Sequence, residues 1–332
     1  MLRWLIGALI LSVGITFAIA EYGRTVLAPA SLQPAPQLFE VAQGSSFGSV
    51  ARRLEKQGLI QNAQAATWMA RYNEIDGKLH VGEYEISPHQ STREILEIIT
   101  QGRVKTWRVT LPEGSRASEI GETLEAHGLV KAEDFQKALQ NAQLAESLDV
   151  PFSNFEGYLY PDTYSLSRGL PAEEVIRILV DQFHAVWKNE IQPQSKSLGL
   201  SQHEIVTLAS IVEKETAAPE ERARIAAVFL NRLKLGMRLE TDPTVIYGVA
   251  DFDGNLRRKH LKDKTNPYNT YQHLGLPPGP IASPGHAALE AVIEPEETEY
   301  LYFVSKNDGT HKFSRTYAEH KKAVDRYQRR RR

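Results

Sequence analysis

Two glutamates, Glu213 and Glu215, end a largely apolar segment, and they are the side chains of this sequence best suited to chemistry. A carboxylate among apolar side chains is costly unless it is solvated, paired or used. Burial also raises the pKa of a carboxyl group, which can then hold a proton near neutral pH and deliver it to a leaving oxygen. Which of the two glutamates points inward therefore decides what the segment can do.

The segment is predicted to be a helix that begins after Ser201. Ser201 with Glu204 three residues later has the pattern of a capping box, and apolar residues follow at helical spacing. These are Ile205, Leu208, Ala209 and Val212. At about 100° per residue, Glu215 falls at the edge of this stripe, and Glu213 lies about 160° away from Glu215. We predict that Glu215 is the buried acid and Glu213 a neighbour or solvated partner, although two surface charges at a fraying helix end would give the same pattern.

Polar and aromatic loops follow this helix, the first over residues 239–248, and their side chains suit contacts with sugar rings and amides. Beyond the loops, the sequence Asn307-Asp-Gly309 predicts the turn of a hairpin. The predicted substrate-binding residues of this cleft are Asp242, Tyr247, Asn269, Tyr271 and the neighbouring Glu213. Ordinary glycosidases need a second carboxylate, for which Asp242 is the best candidate. One carboxylate is enough if the sugar supplies its own nucleophile, because the group can first protonate the glycosidic oxygen and then deprotonate a hydroxyl of the same sugar. The residues alone leave both mechanisms open.

Composition narrows the class of protein without choosing a function. The chain has 332 residues, of which 42% are hydrophobic and 24% charged, and its net charge is −2. This is ordinary globular composition, long enough for two or three domains, and the charge gives no indication of a nucleic-acid partner. The absence of cysteine excludes disulfides and thiolate metal sites. We predict no metal site and no cofactor, because the sequence lacks the phosphate-loop, dinucleotide-binding and zinc-protease motifs.

The N-terminus predicts where the protein works. Residues 4–20 form an uncharged, mostly apolar run of 17 residues, with Arg3 before it and Glu21 after it. Its length is at the lower limit for a membrane-spanning helix and above that of a signal-peptide core. We predict an uncleaved transmembrane anchor over residues 1–20, and a signal peptide cleaved after the sequence Ala18-Ile-Ala20 is the alternative. In either case, the rest of the chain is predicted to be exported.

An internal repeat follows a proline-rich linker predicted over residues 21–37. Residues 41–60 recur as residues 111–130, and each copy reads as a strand, a Gly-Ser turn whose serine can cap a helix, and a helix ended by glycine. After the first copy, a second helix is predicted over residues 63–72 and a strand over residues 82–86. The first copy therefore predicts a compact β-α-α-β module, which is either a structural spacer or a wall-binding module.

Seven ordered motifs carry a resemblance to a known family. They are Ala209-Ser-Ile-Val-Glu-Lys-Glu-Thr216, Asn231-Arg-Leu, Gly236-Met-Arg-Leu, Thr241-Asp-Pro-Thr-Val-Ile-Tyr-Gly248, Tyr268-Asn-Thr-Tyr271, Gly275-Leu-Pro-Pro-Gly-Pro-Ile-Ala-Ser-Pro-Gly285 and Tyr300-Leu-Tyr-Phe-Val304. Together they resemble the endolytic murein transglycosylases of the YceG-like family. The resemblance implies cleavage within peptidoglycan strands, between N-acetylmuramic acid and N-acetylglucosamine, to leave 1,6-anhydro-muramyl ends. Because no water enters that product, one acid and base is enough, and the resemblance assigns this role to Glu215.

The resemblance also implies an architecture and a setting. The fold is predicted to be α+β, with the N-terminal membrane anchor, a LysM-like β-α-α-β module over residues 38–104, a second repeat-like segment over residues 105–150 and an α+β catalytic domain over residues 151–332. The setting is the inner membrane, crossed once, with the catalytic domain in the periplasm. There the protein would terminate nascent strands beside wall-synthesis enzymes such as penicillin-binding proteins. A membrane-anchored wall-binding or scaffolding protein without activity is the rival class.

Overall fold

The computed structural model describes most of the chain and divides it into two compact units. The described residues are 2–151, 154–196, 198–216 and 218–329, except for the side chains of 2–11, 18–20 and 329. The first unit comprises the residues up to Trp107 together with Ser165–Gly169, and the second comprises Arg108–Tyr164 together with the residues from Leu170 onward. Each unit contains helices and a small antiparallel sheet, so the predicted α+β class is confirmed. The predicted domain boundaries remain predictions.

The first unit surrounds a two-stranded antiparallel sheet. Its elements are α1 (Leu2–Leu27), β1 (Gln37–Val41), α2 (Phe47–Lys56), α3 (Ala63–Tyr72), β2 (Gly82–Ile86) and α4 (Thr92–Thr100). Strand β1 pairs with β2 so that Phe39 lies opposite Tyr84, and both rings are fully buried in one core with Leu54 and Ile95. The order β-α-α-β is the predicted one, and the likeness to LysM modules remains a prediction.

The predicted membrane anchor falls within α1. Among the described residues, no helix combines the length and the apolar character needed to cross a membrane. Most side chains of the predicted anchor, those of residues 2–11 and 18–20, lie outside the described part of the chain. The anchor therefore remains a prediction.

The internal repeat is a repeat of backbone conformation. Gly44 and Gly114 precede the first helix of each copy with φ angles of 75° and 73°, and Gly58 and Gly128 follow that helix with φ angles of 70° and 65°. All four lie in the left-handed region, where glycine avoids the steric penalty of a β-carbon. This is the physical reason why glycine recurs at these positions.

The expected serine caps were wrong in both copies. Ser46, one residue beyond the predicted Ser45, caps α2 by accepting the backbone N–H of Ser49. In the second copy, the Ser115 hydroxyl donates to the carbonyl of Pro112 instead. A Gly-Ser pair marks such a turn without fixing which following residue begins the helix, because caps are defined by backbone geometry.

The second unit is mainly helical and contains a hairpin near its C-terminal end. The elements from the unit boundary onward are β3 (Trp107–Thr110), α5 (Ala117–Ala126), α6 (Ala132–Leu139), α7 (Ala142–Ser147), β4 (Thr163–Leu166), α8 (Ala172–Val186), α9 (Gln192–Ser195), α10 (Gln202–Glu215), α11 (Arg222–Lys234), α12 (Asp242–Tyr247), α13 (Arg258–Leu261), α14 (His286–Ile293), β5 (Tyr302–Ser305), β6 (His311–Ser314) and α15 (Tyr317–Val324). Strand β5 pairs antiparallel with β6, which confirms the hairpin predicted around Asn307. The predicted loop after Leu239 was wrong in part, because Pro243 occupies the first turn of the short helix α12.

Helix α10 is the central helix of the second unit. It packs against α11 and α14, and all eight residues from Ile205 to Val212 are buried, including Thr207 and Ser210. A single apolar stripe was expected, but the helix is enclosed on every side. Polar side chains on its far face are therefore buried as well, which changes the environment of both glutamates at its end.

Candidate active site

Helix α10 brings Glu215 to its C-terminal end. The predicted start of this helix is confirmed by a capping box. The Ser201 hydroxyl accepts the N–H of Glu204, and the Glu204 carboxylate accepts the N–H of Ser201 at 2.8 Å. Fourteen residues later the helix ends at Glu215, and Thr216 is already extended. The cap and the length of α10, which its sequence determines, thus place Glu215 at the C-terminal end of the helix.

Glu215 is partly buried and lines a cleft of about 430 Å³. The Thr241 hydroxyl donates to Oε2 of Glu215 at 2.6 Å. Burial raises the pKa of Glu215, the hydrogen bond from Thr241 opposes that rise, and the negative charge of Asp242 adds to it. The group is therefore suited to carry a proton and to release it inside the cleft.

Asp242 and Tyr271 line the same cleft as Glu215. The Tyr271 hydroxyl donates to Oδ1 of Asp242 at 2.8 Å, and burial raises the pKa of Tyr271. Asp242 is the first residue of α12, where an acidic side chain is favoured by the helix dipole. The structure therefore brings together three of the predicted site residues, each held by a neighbour.

Two buried threonines hold Thr241, the hydrogen-bond donor to Glu215, in place. The backbone N–H of Thr241 donates to the Thr270 hydroxyl at 3.1 Å, and the Thr244 hydroxyl donates to the carbonyl of Thr241 at 2.8 Å. The hydroxyls of Thr244 and Thr270 are 2.9 Å apart. All three residues are at most 2% exposed. This network fixes the donor to Glu215, because each hydroxyl has a defined partner within it.

Glu213 does not line the described cleft, and of the two expected roles the structure supports a neighbour and contradicts a solvated partner, while its predicted contact with substrate remains a prediction. Its side chain is only 7% exposed, it accepts the backbone N–H of Gly285 at 3.0 Å, and Nη2 of Arg222 lies 3.3 Å from its Oε1. Burial raises the pKa of Glu213, while these two contacts act in the opposite direction. Because α10 is enclosed on every side, the glutamate on its far face became a buried clamp between α11 and α14.

Asn269 lies inside a loop and does not line the cleft. Its side-chain amide donates to the carbonyls of His260, Leu261 and Asp263 at 3.0, 3.3 and 2.7 Å. Its side-chain oxygen accepts the N–H of Tyr271 at 3.0 Å. The structure therefore places Asn269 where it orients the backbone of Tyr271, and its predicted contact with substrate remains a prediction.

Tyr247 also lies away from the lining of the cleft. Its hydroxyl donates to Oε2 of Glu156 at 3.1 Å, its ring packs 4.7 Å from the ring of Tyr268, and the Arg116 guanidinium lies over it at 5.2 Å. Burial raises the pKa of Glu156 to about 7, against the hydrogen bonds from the Ala117 N–H and from Tyr247. Tyr247 thus joins α12 to a second buried carboxyl group.

A histidine of the β5–β6 hairpin also lines the cleft. His311 lines the cleft, its Nδ1 lies 2.6 Å from Oε2 of Glu221, and its backbone N–H donates to Oε1 of Glu221 at 3.0 Å. Glu221 is 5% exposed and ends the 3₁₀ turn before α11. The ring of Phe303 meets the His311 ring edge-on at 5.4 Å. His311 is therefore held on two sides.

Arg232 links two segments of the chain beside the cleft. Its guanidinium donates to the carbonyls of Leu301 and Leu239, each at 2.7 Å, and to that of Arg238 at 3.2 Å. The side chain is buried, and burial lowers its pKa. One cation thus fixes the segment before α12 against the approach to β5.

Comparison with known proteins decides the family. The YceG-like family profile matches residues 39–326, which is most of the chain. This chain belongs to the YceG-like family. The membership expected from the seven motifs is therefore confirmed.

Named relatives and a solved structure are similar to this member of the YceG-like family. The endolytic murein transglycosylase of Bacillus subtilis is 29% identical, with 92% of this chain and 89% of that protein covered. The endolytic murein transglycosylase of Streptococcus pneumoniae D39 is 30% identical, with 80% of this chain and 53% of that protein covered. The crystal structure of a YceG-like protein from Listeria monocytogenes superposes with a TM-score of 0.60 at 31% identity, covering 87% of this chain and 99% of that one.

Several residues of this site could not be found from local sequence patterns. Thr241 and Glu215 are 26 positions apart, and Glu221 and His311 are 90 positions apart. The only signal for Thr241 was its place beside Asp242 in a motif of the YceG-like family, and Glu221 lies in none of the seven motifs. Contacts between distant segments brought these side chains together.

Proposed function

We propose that this chain cleaves peptidoglycan within its glycan strands, between N-acetylmuramic acid and N-acetylglucosamine, and leaves 1,6-anhydro-muramyl ends. Membership of the YceG-like family and relatives named endolytic murein transglycosylases support this proposal. The observation that carries it is Glu215, a carboxyl group of raised pKa in a cleft and held by a buried threonine. No other carboxyl group of the described cleft is fixed by a hydroxyl donor from a threonine.

In its minimal form the reaction needs one carboxyl group. Protonated Glu215 gives its proton to the glycosidic oxygen as the bond from C1 breaks. The resulting carboxylate then takes the proton of the C6 hydroxyl, and O6 bonds to C1 of the same muramyl ring. Glu215 ends the cycle protonated, and no water is consumed.

A hydrolase is the second candidate, because Asp242 lines the same cleft as Glu215. In that reaction a second carboxylate activates water or forms a covalent intermediate, and the product has a reducing end. The hydrogen bond from Tyr271 occupies one oxygen of Asp242 and leaves the other for such a role.

We also propose a membrane setting for this activity. The uncharged run over residues 4–20 supports a single-pass inner-membrane anchor, with the catalytic residues in the periplasm. There the enzyme would terminate nascent strands beside penicillin-binding proteins, and the β-α-α-β module would be LysM-like. Fractionation of the full chain between membrane and soluble extracts, before and after deletion of residues 1–20, tests the anchor directly.

The decisive test compares Glu215→Gln with wild type on purified glycan strands, with products identified by mass spectrometry. Wild type is expected to release anhydro ends, and Glu215→Gln is expected to lose at least about a thousandfold in rate, because the amide cannot donate an acidic proton. Glu213→Gln is the matched control on the same helix and should retain far more activity. Undiminished anhydro products from Glu215→Gln would refute the assignment.

The wild-type products also separate the three classes of function. Anhydro ends identify a transglycosylase, and reducing ends that take up ¹⁸O from labelled water identify a hydrolase. The absence of any product from a folded wild-type chain would identify a binding or scaffolding protein. Each outcome differs in mass, so a single digest distinguishes them.

A further inference from the structure

A histidine–carboxylate pair faces the cleft of Glu215 and has no task in the minimal reaction. His311 and Glu221 belong to the second unit, as do all the residues that line the cleft. We infer that His311, oriented by Glu221, accepts the proton of the attacking C6 hydroxyl, so that two groups share the two proton transfers. This inference rests on the proposed function and replaces its second step.

The contacts of Glu221 fix the tautomer of His311. A carboxylate has acceptors only, and here Oε1 accepts the backbone N–H of His311 while Oε2 lies 2.6 Å from Nδ1. The shared hydrogen therefore belongs to Nδ1. In the neutral form of His311, Nε2 is then left with its lone pair, which is the form that a general base requires.

The contact with Glu221 occupies the Nδ1 side of the His311 ring, which leaves the Nε2 side for the cleft. Glu221 is 5% exposed and holds the Nδ1 side, and the Phe303 ring packs edge-on at 5.4 Å. The His311 side chain is 12% exposed while the residue lines the cleft, so its accessible part faces that space. The pair has the arrangement in which a carboxylate orients an imidazole that acts on a reacting hydroxyl.

Other charged groups share this space and are part of the test. Glu215, Asp242, Glu240, Arg232 and His320 line the cleft with His311. Tyr271, Tyr302 and Tyr317 are the other lining side chains with a titratable proton. On the far side, Glu221 interacts with the charge of Arg224. Of the two histidines that line the described cleft, His311 is the one whose Nδ1 contacts a buried carboxylate. Its removal is therefore the informative change.

The shared mechanism balances without any further reactant. The Glu215 proton goes to the leaving glycosidic oxygen as the bond to C1 breaks. The C6 hydroxyl gives its proton to Nε2 of His311 as the O6–C1 bond forms. One proton then returns from His311 to Glu215 through solvent, and the enzyme regains its starting state with no water consumed. A single carboxyl group must protonate the glycosidic oxygen before it can deprotonate the C6 hydroxyl. With two groups, both proton transfers can occur at the same time.

The kinetic test is the pH dependence of anhydro-end release by wild type and His311→Gln. With two groups, wild-type kcat should depend on pH as a bell, rising at low pH and falling at higher pH, because the reaction needs one group deprotonated and Glu215 protonated. His311→Gln should lower kcat by about a hundredfold, change KM by less than about threefold, and abolish the rise at low pH while keeping the fall. Products should remain anhydro-ended, because Glu215 then performs both steps slowly.

The second test reads the tautomer without activity. The chain has 10 histidines, and ¹⁵N-histidine labelling with His311→Gln as the assignment control identifies the His311 signals. Wild type should show a protonated Nδ1 and an unprotonated Nε2. In Glu221→Gln, the amide has one oxygen to accept from two donors, the backbone N–H and the Nδ1–H of His311. The His311 tautomer should therefore reverse, so that Nε2 carries the proton. As a result, kcat should fall almost as far as in His311→Gln.

The matched control is His286→Gln, which removes a surface histidine 3.0 Å from Glu190 and outside the cleft. It should leave kcat and the pH profile of wild type unchanged. A His311→Gln profile that retains the rise at low pH, or a wild-type Nε2 that carries the proton, would overturn the inference and leave Glu215 as the only acid and base. Failure of the proposed function is visible separately, as the absence of anhydro ends from wild type.

Discussion

The task proposed for Glu215 depends on which of its two oxygens can carry a proton. Thr241 donates to Oε2 at 2.6 Å, and the buried Thr244 and Thr270 fix the backbone on both sides of that hydroxyl. An oxygen that accepts a hydrogen bond is the less favourable place for a proton, so Oε1 is the acidic position. The threonine network thus makes two chemically equal oxygens different.

Thr241→Val should separate this effect from packing, because valine has nearly the same shape without the hydroxyl. Loss of a hydrogen bond to the charged form raises the pKa of Glu215 further. The limb on which activity falls with rising pH should therefore move to higher pH, and kcat should drop about tenfold. The measurement is the pH dependence of kcat for anhydro-end release.

Thr241→Ser is the control for that prediction. It keeps the hydroxyl and should keep the position of the limb within about 0.3 pH units, since the donor is unchanged. If Thr241→Val and Thr241→Ser moved the limb equally, the shift would come from repacking of the threonine network instead of the lost donor.

At the scale of secondary-structure elements, the sequence predicted those features that depend on neighbouring residues. The start of α10 followed from Ser201 and Glu204, and the β5–β6 hairpin followed from an Asn-Asp-Gly turn. Helix α12 was missed because its short stretch contains Thr, Pro and Gly signals that are typical of loops. Local patterns therefore located the elements whose signals lie within a few residues of one another.

The burial of α10 could not be predicted from its own residues. The helical phase distinguished Glu215 from Glu213, but it assumed one buried stripe, and packing by α11 and α14 buried the far face also. The side chains that clamp Glu213, namely Arg222 and the backbone of Gly285, come from 9 and 72 residues away. Partners at such distances leave no periodic signal in a single sequence.

The loop that carries Tyr271 is organised by one amide. Asn269 is fully buried and satisfies three carbonyls and one N–H of the loop. Asn269→Ala leaves these groups unpaired, which should cost about 2–3 kcal/mol and loosen the backbone at Tyr271. Amide exchange over residues 258–272 should become faster while α10 stays protected, and activity should fall.

The control for this loop is Asn255→Ala, at an exposed position nearby. In the described part of the chain its side chain does not hydrogen-bond to the loop carbonyls, so exchange over residues 258–272 should match wild type. Unchanged exchange in Asn269→Ala would mean that the loop is held by α12 and α13 without the amide, and that Asn269 is free to serve the substrate as first predicted.

At the scale of the whole molecule, the cleft and its supports all belong to the second unit. Glu156 is part of that unit, 4% exposed, and it joins the start of α5 to Tyr247 at the end of α12. Burial raises its pKa from 4.5 to about 7. A buried acid of this kind couples the stability of the unit to pH.

The sign of this coupling follows from proton binding. Between about pH 4.5 and 7 the folded unit keeps the Glu156 proton and the unfolded chain has lost it, so unfolding releases a proton. The stabilising effect is complete below pH 4.5 and is lost as pH rises toward 7. The expected loss from this one group is about 3 kcal/mol across the window.

Glu156→Gln should remove that loss, because the amide stays neutral while its oxygen can still accept the Ala117 N–H. The free energy of unfolding should be compared at pH 5 and pH 7.5 by the denaturant dependence of amide exchange in α8, which reports on the second unit alone. The variant should match wild type at pH 5 and exceed it at pH 7.5. Parallel curves for the two proteins would show that folded Glu156 is ionised across this range and that Tyr247 and Ala117 stabilise its charge.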